Sequence, residues 1–72
     1  MTRTQARAAV PVPAEALREI RSVHDHASGR GLNAFAFVLY ASRLGKLEAV
    51  TWVSENPLSY VRGKQNGFVE EL

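Results

Sequence analysis

Apolar residues recur at three- and four-residue steps through Leu17, Ile20, Val23 and Ala27. That period places them on one side of an α-helix, so the stretch reads as an amphipathic helix with one buried stripe. Its ends are marked too. Pro13 suits a first helical position, Glu15 puts a negative charge in the first turn, and Gly29 and Gly31 stop the run. The spacing predicts a helix over 13–28. Before it, "VPVP" at 10–13 reads as extended, because each proline pushes its predecessor out of the helical region.

The middle of the chain, "NAFAFVLYASRLGKLEAVTWVSENP" at 33–57, has no such stripe. From Ala34 to Ala41 every residue is apolar or aromatic. A helix apolar on all sides must be buried on all sides, and a small chain has little material to surround one. The following "LEAVTWVSE" concentrates Val50, Thr51, Trp52 and Val53, which fit a pleated surface. Two such runs joined by a short loop with Gly45 read as a β-hairpin over 34–54. Beyond it, Asn56 and Pro57 suit a short helical start, whereas Gln65-Asn66-Gly67 carries the strongest two-residue hairpin signal. The expectation for 57–72 is a short C-terminal element containing a further strand or two. The fold class expected is therefore α+β: an N-terminal amphipathic helix packed on a small antiparallel sheet.

In that hairpin, side chains alternate between two faces. Phe35, Phe37, Leu39 and Ala41 would share one face, and Ala34, Ala36, Val38 and Tyr40 the other. Neither is polar, and one helix covers only one of them. The second face, Ala34, Ala36, Val38 and Tyr40, is thus the expected dimer or sheet contact, with a homodimer as its simplest cover.

Size supports the expectation of a partner. The chain has 72 residues and no cysteine, so no disulfide can reinforce it. A domain this short buries only ~60% of its unfolded surface. Residues 1–9, with Arg3 and Arg7, read as a flexible basic arm, and 10–72 as one domain. The start lacks the apolar core of a secretory leader, and no run approaches the ~20 residues that span a bilayer. The expectation is a cytoplasmic protein without a membrane partner. Nine basic and seven acidic side chains leave a net charge of only +2, too little to argue for nucleic acid by itself.

Candidate chemistry is sparse. "HDH" at 24–26 offers two histidines, but positions two apart on a helix diverge, so His24 and His26 cannot share one ion unaided. No nucleophile elbow or phosphate loop is present. The expectation is no enzyme, no metal and no cofactor. What remains is a surface: Arg43 and Lys46 in the hairpin turn, Arg62 and Lys64 in a later loop, and the aromatics Trp52 and Tyr60. Tryptophan, tyrosine and arginine are enriched at binding hot spots. These six residues are the candidate partner-binding set, and the function expected is that of a non-catalytic protein-binding module, a small regulator or inhibitor. The alternative is a nucleic-acid-binding transcriptional regulator. Ala41 and Gly45 stand four apart, as in many helix-turn-helix motifs, which the segment resembles there. A recognition helix at 47–55 would nevertheless point Glu48 and Glu55 at DNA phosphate, which they would repel.

Overall fold

The computed structural model describes residues 8–27 and 32–72. Seven of the nine residues of the expected basic arm, Arg3 and Arg7 among them, lie outside that range, as do Ser28, Gly29, Arg30 and Gly31. The order of elements is β1 (Val10–Val12), α1 (Ala14–Ala27), α2 (Ala34–Arg43), α3 (Leu47–Glu55), α4 (Pro57–Asn66) and β2 (Phe68–Glu70).

The first two elements follow the sequence pattern. Val10 and Val12 alternate inward with Pro11 outward. In α1, Leu17, Ile20 and Val23 are buried, joined by Ala16. The carbonyl of Pro13 accepts the first helical bond, from the amide of Leu17.

The middle segment overturns the expected hairpin and, with it, the α+β class. Residues 34–54 form two helices, and the two short strands pair in parallel. Two local signals and one contact from α1 explain this. Asn33 is extended, at φ −78° and ψ 176°, and its side-chain oxygen accepts from the amide of Ala36 at 2.7 Å, capping α2. That is the hydrogen bond for which asparagine is favoured at a helix start. At the other end the amide of Lys46 bonds the Ala41 carbonyl and that of Gly45 bonds the Ser42 carbonyl, with Gly45 at φ +74°. This double bond pattern around a left-handed residue is the Schellman helix stop. The glycine that suggested a hairpin turn thus terminates a helix. Then α3 begins within one residue. Its own N-terminal neighbour, Lys46, provides no side-chain cap. Instead Glu19 of α1 accepts from the amide of Ala49 at 3.1 Å.

The objection to a helix at 34–43 rested on its apolar circumference. The fold answers it by leaving part of that circumference in water. Phe37 and Ala41 are buried, four residues apart, and face Ala49 and Val53 of α3, which are buried at the same spacing. Alanines at 41 and 49 keep the side chains between these two helices small. Phe35 and Leu39 stay 74% and 53% exposed.

A single residue, Asn56, separates α3 from α4. Its side-chain amide donates to the Trp52 carbonyl at 2.9 Å and so closes α3, while Pro57 opens α4 at the position where its missing N–H costs nothing. Asn66-Gly67 is no hairpin turn. Asn66 ends α4 and Gly67, at φ +98°, leads into β2. That strand returns to the start of the chain and pairs Val10 with Phe68 and Val12 with Glu70.

Gly63 has a steric role. It is buried in α4, and a Cβ placed on it would fall within the van der Waals radius of the Phe68 ring. Only glycine lets β2 lay its aromatic residue against the helix backbone. The core behind it joins all four helices and β1: Val10, Val12, Leu17, Ile20, Val23, Phe37, Val53 and Tyr60 are its larger members.

Candidate functional site

The helical middle dissolves the sheet face expected to form a dimer. Ala34 and Val38, four apart, line a surface groove with Phe35. Ala36 and Tyr40 lie on another side of α2 and are half-buried. The four residues share no surface, because a helix turns by 3.6 residues where a strand alternates by two. The argument for a homodimer from an uncovered sheet loses its ground with the sheet.

The six candidate contact residues divide. Arg43 is exposed at the last turn of α2, and Lys46 is half-buried in the turn to α3. Arg62 and Lys64 are exposed on α4, not in a loop. The Lys64 ammonium donates to the Leu32 carbonyl and sits 5.7 Å from the centre of the Tyr60 ring. The two aromatics go inward. Trp52 is half-buried, edge-on to Phe68 with centroids 6.4 Å apart. Tyr60 is fully buried, so neither its ring nor its hydroxyl is available to a partner.

Tyr60 instead organises an aromatic cluster. Its ring lies 4.8 Å from that of Phe37 and stacks on Phe68 at 5.9 Å. Its hydroxyl shares a hydrogen bond of 2.9 Å with Nε2 of His24. His24 also meets Phe37 edge-on at 5.6 Å. Burial pushes the Tyr60 hydroxyl up to about 12. Burial lowers His24, and the Lys64 ammonium lowers it further against a small opposing effect of Asp25. Both groups are therefore neutral near pH 7, which suits a part-buried hydrogen-bonded pair. A tyrosine with a raised pKa is a poor base, and its half-buried histidine partner packs against the rings of Phe37, Tyr60 and Phe68. The pair ties α1 to α4. His26 is exposed and its Nδ1 bonds the Ser22 carbonyl of its own helix, so the two histidines diverge as their spacing requires. No group of three or more potential metal ligands occurs among the described residues.

The feature that faces outward is the groove. It has a volume of about 380 Å³ and is lined by Ala34, Phe35, Val38, Val53, Ser54 and Pro57. Three helices build it: the first turn of α2, the last turn of α3 and the start of α4. Its lining is apolar apart from Ser54. Leu58, next in the chain after Pro57, is 75% exposed. Along α2 the exposed positions Phe35, Leu39 and Arg43 recur every four residues. Along α4, Leu58 and Arg62 do the same, with Val61 beside them. Both stripes are apolar first and cationic one turn later. Sequence reasoning placed Phe35 and Leu39 on one face of a sheet and counted Leu58 among the C-terminal apolar residues available to cover it. The signal present was their four-residue spacing, usable only once α2 and α4 were known to be helices.

A second cavity, about 260 Å³, lies between α1 and β2 against Arg18, Arg21 and Glu70. Arg18 is already paired with Glu15 one turn earlier. No helix among the described residues is long and apolar enough to cross a membrane. Comparison of the chain with protein-family models, with curated proteins and with solved structures finds no match.

Proposed function

We propose that the protein is a non-catalytic protein-binding module whose contact surface is the groove between α2, α3 and α4. The observation that carries this reading is the apolar lining of that groove, with Phe35 and Leu58 more than two-thirds exposed. Isolated surface apolar residues need no explanation, but a shallow apolar depression with the exposed Phe35 on its rim and the exposed Leu58 next in the chain to its Pro57 is a common binding feature. A regulator or inhibitor of a partner protein acts through such a surface without any chemistry of its own.

A second reading, nucleic-acid binding, is favoured by one observation: α2, a short glycine-containing turn and α3 follow one another as in a helix-turn-helix. The electrostatics of α3 speak against it. Its outer positions carry Glu48 and Glu55, and the amide of Ala49 in its first turn already donates to the carboxylate of Glu19. A recognition helix needs that end free and cationic or amide side chains for phosphates and base edges.

A photo-crosslinking amino acid in place of Leu58, with a control at the exposed Glu48, tests the choice in cells. A protein adduct at 58 that disappears in the Phe35→Ser background is the expected result. Retarded random duplex DNA in a gel shift, abolished by Thr51→Ala but not by Phe35→Ser, would overturn it in favour of the second reading.

A further inference from the structure

We infer that the open edge of β2 binds an extended peptide as a third strand, with one amide side chain of that peptide, asparagine or glutamine, in the cavity between α1 and β2. The sheet has two strands, so each offers one outer edge. Backbone groups alternate in direction along a strand. The amide of Val10 donates to the Gly67 carbonyl, and that of Glu71 donates to the Val12 carbonyl. Val10 and Val12 therefore turn their backbone groups toward β2, and Pro11 turns its own away. Proline has no N–H, so the outer edge of β1 lacks a donor at its centre. By the same alternation Gly67, Val69 and Glu71 point to β1, while the amides and carbonyls of Phe68 and Glu70 point outward. Among the described residues no backbone bond joins those outward groups to another element. Val69 and Glu70 are exposed.

A cleft accompanies this edge. The cavity of about 260 Å³ is lined by Ala14, Leu17, Arg18 and Arg21 of α1 and by Glu70. Those α1 positions recur at three- and four-residue steps, so one face of the helix forms its wall. None of these lining residues belongs to β1, which sets the cavity on the side of β2 that carries the outward backbone groups. Glu70 pairs with Val12 and shares its face, the one turned to the core. A peptide residue opposite Glu70 presents its side chain on that same face, toward α1. Addition of a strand to a sheet edge is a recurring mode of peptide recognition: main-chain bonds hold the segment and pockets take its alternate side chains.

The lining decides which side chain enters. Arg18 is held by Glu15, the one ion pair among the described residues. Arg21 and Glu70 line the same cavity without pairing to each other. A carboxylate entering it meets Glu70, and an ammonium meets Arg21. A primary amide accepts from a guanidinium and donates to a carboxylate, so it suits both. Ala14 and Leu17 supply an apolar wall for its methylenes. A second copy of β2 is a poorer occupant. Antiparallel pairing about a two-fold axis sets the two Glu70 carboxylates on one face, directly or diagonally opposed, and like charges so placed oppose pairing. This surface shares no residue with the groove between α2, α3 and α4, so the inference stands apart from the proposed function.

The test uses the whole chain, isotopically labelled, and synthetic heptapeptides of alternating threonine and valine with glutamine, glutamate, lysine or leucine at the centre. With the glutamine peptide, the amides of Phe68 and Glu70 are expected to gain protection from hydrogen exchange, while resonances of 34–38 and 53–57 in the groove stay in place. That peptide should bind about fivefold more tightly than the leucine peptide, the effect of one hydrogen bond. Methylation of alternate peptide nitrogens should abolish binding. Arg21→Ala and Glu70→Ala, both at exposed positions, should each erase the preference for glutamine and leave the protection at 68 and 70. No protection of those amides at millimolar peptide, or equal binding of the methylated peptide, would overturn strand addition. Tighter binding of the glutamate or the lysine peptide would overturn the amide anchor. Protection that rises with protein concentration in the absence of peptide would overturn the inference in favour of a second copy. Crosslinking at 58 reads the groove separately, so failure here leaves the proposed function untouched.

Discussion

His24 and Tyr60 are 36 residues apart and share a hydrogen bond inside a ring of aromatic side chains. Their pKa directions give each a definite pH dependence. His24 titrates lower in the folded protein than its ordinary 6.5, so the native state favours the neutral ring. Its contribution is complete above pH 6.5 and is lost as pH falls through that value, because the unfolded chain takes up the proton first. Tyr60, raised to about 12 from 10.0, behaves in the opposite sense: its contribution is complete below pH 10 and lost between 10 and 12. Denaturation by urea should show stability falling between pH 7 and 5. His24→Gln should flatten that slope, and an unchanged slope would assign it to other groups. Gly63 is the second decisive residue. Alanine at a helical glycine ordinarily stabilises by about 1 kcal/mol. Here its methyl meets the Phe68 ring, so Gly63→Ala should destabilise by about 1–3 kcal/mol, the range of an overpacked core. Gly63→Ala combined with Phe68→Ala should recover part of what the glycine substitution loses, which thermal melts would show.

At the scale of elements, each helix boundary in the second half of the chain is closed by a different device. Asn33 caps α2 within its own segment, Gly45 stops it, and Asn56 closes α3 while Pro57 opens α4. The start of α3 is the exception, since Glu19 reaches it from 30 residues earlier. Glu19→Ala should cost about 1 kcal/mol, the usual effect of losing an N-cap acceptor. Most of the loss should appear as faster amide exchange at 47–50, and Glu19→Gln should restore part of it. Uniform protection across α3 in Glu19→Ala would show that packing alone sets that end. Exchange of this kind also reports helix through 34–43 directly, where slow amides depend on bonds four residues apart rather than on a cross-strand ladder.

For the whole molecule, the charges on the outside and the apolar groove are the features that the proposed partner would meet. Replacing Arg43, Lys46, Arg62 and Lys64 together by serine should slow association with the partner by about tenfold at low salt. Dissociation should change less, as expected where charge steers the encounter. Stopped-flow or surface-based kinetics would separate the two rates. Phe35→Ser should do the reverse and act on dissociation, because an apolar anchor is felt once the complex has formed. Equal effects of both variants on both rates would show that the cations and the groove do not act as parts of one surface. The meeting of the two chain ends in a parallel pair also makes the fold depend on both: Val10 and Val12 are buried in the core that α4 and β2 complete.

The sequence by itself determined the elements whose signals are local and of one meaning. The period of Leu17, Ile20 and Val23 specifies α1, and the prolines at 11 and 13 specify an extended segment before it. The helical start at Pro57 was also legible, since the fixed φ of proline acts within its own residue. Tertiary structure alone decided the rest. An all-apolar run such as 34–41 has no period to read, so its conformation depends on which of its sides finds a partner. Phe37 and Ala41 found Ala49 and Val53, and Phe35 and Leu39 were left outside. The same holds for Gly45, whose positive φ serves a hairpin turn or a helix stop equally well until the flanking bonds are known. Trp52 and Tyr60 were candidates for a contact surface, with core packing the competing reading for Trp52, because nothing local distinguishes a hot spot from a core ring, and it is packing against His24, Phe37 and Phe68 that draws them in. The groove belongs to no one segment. It exists only where three helix ends converge, and contacts between residues distant along the chain bring those ends together.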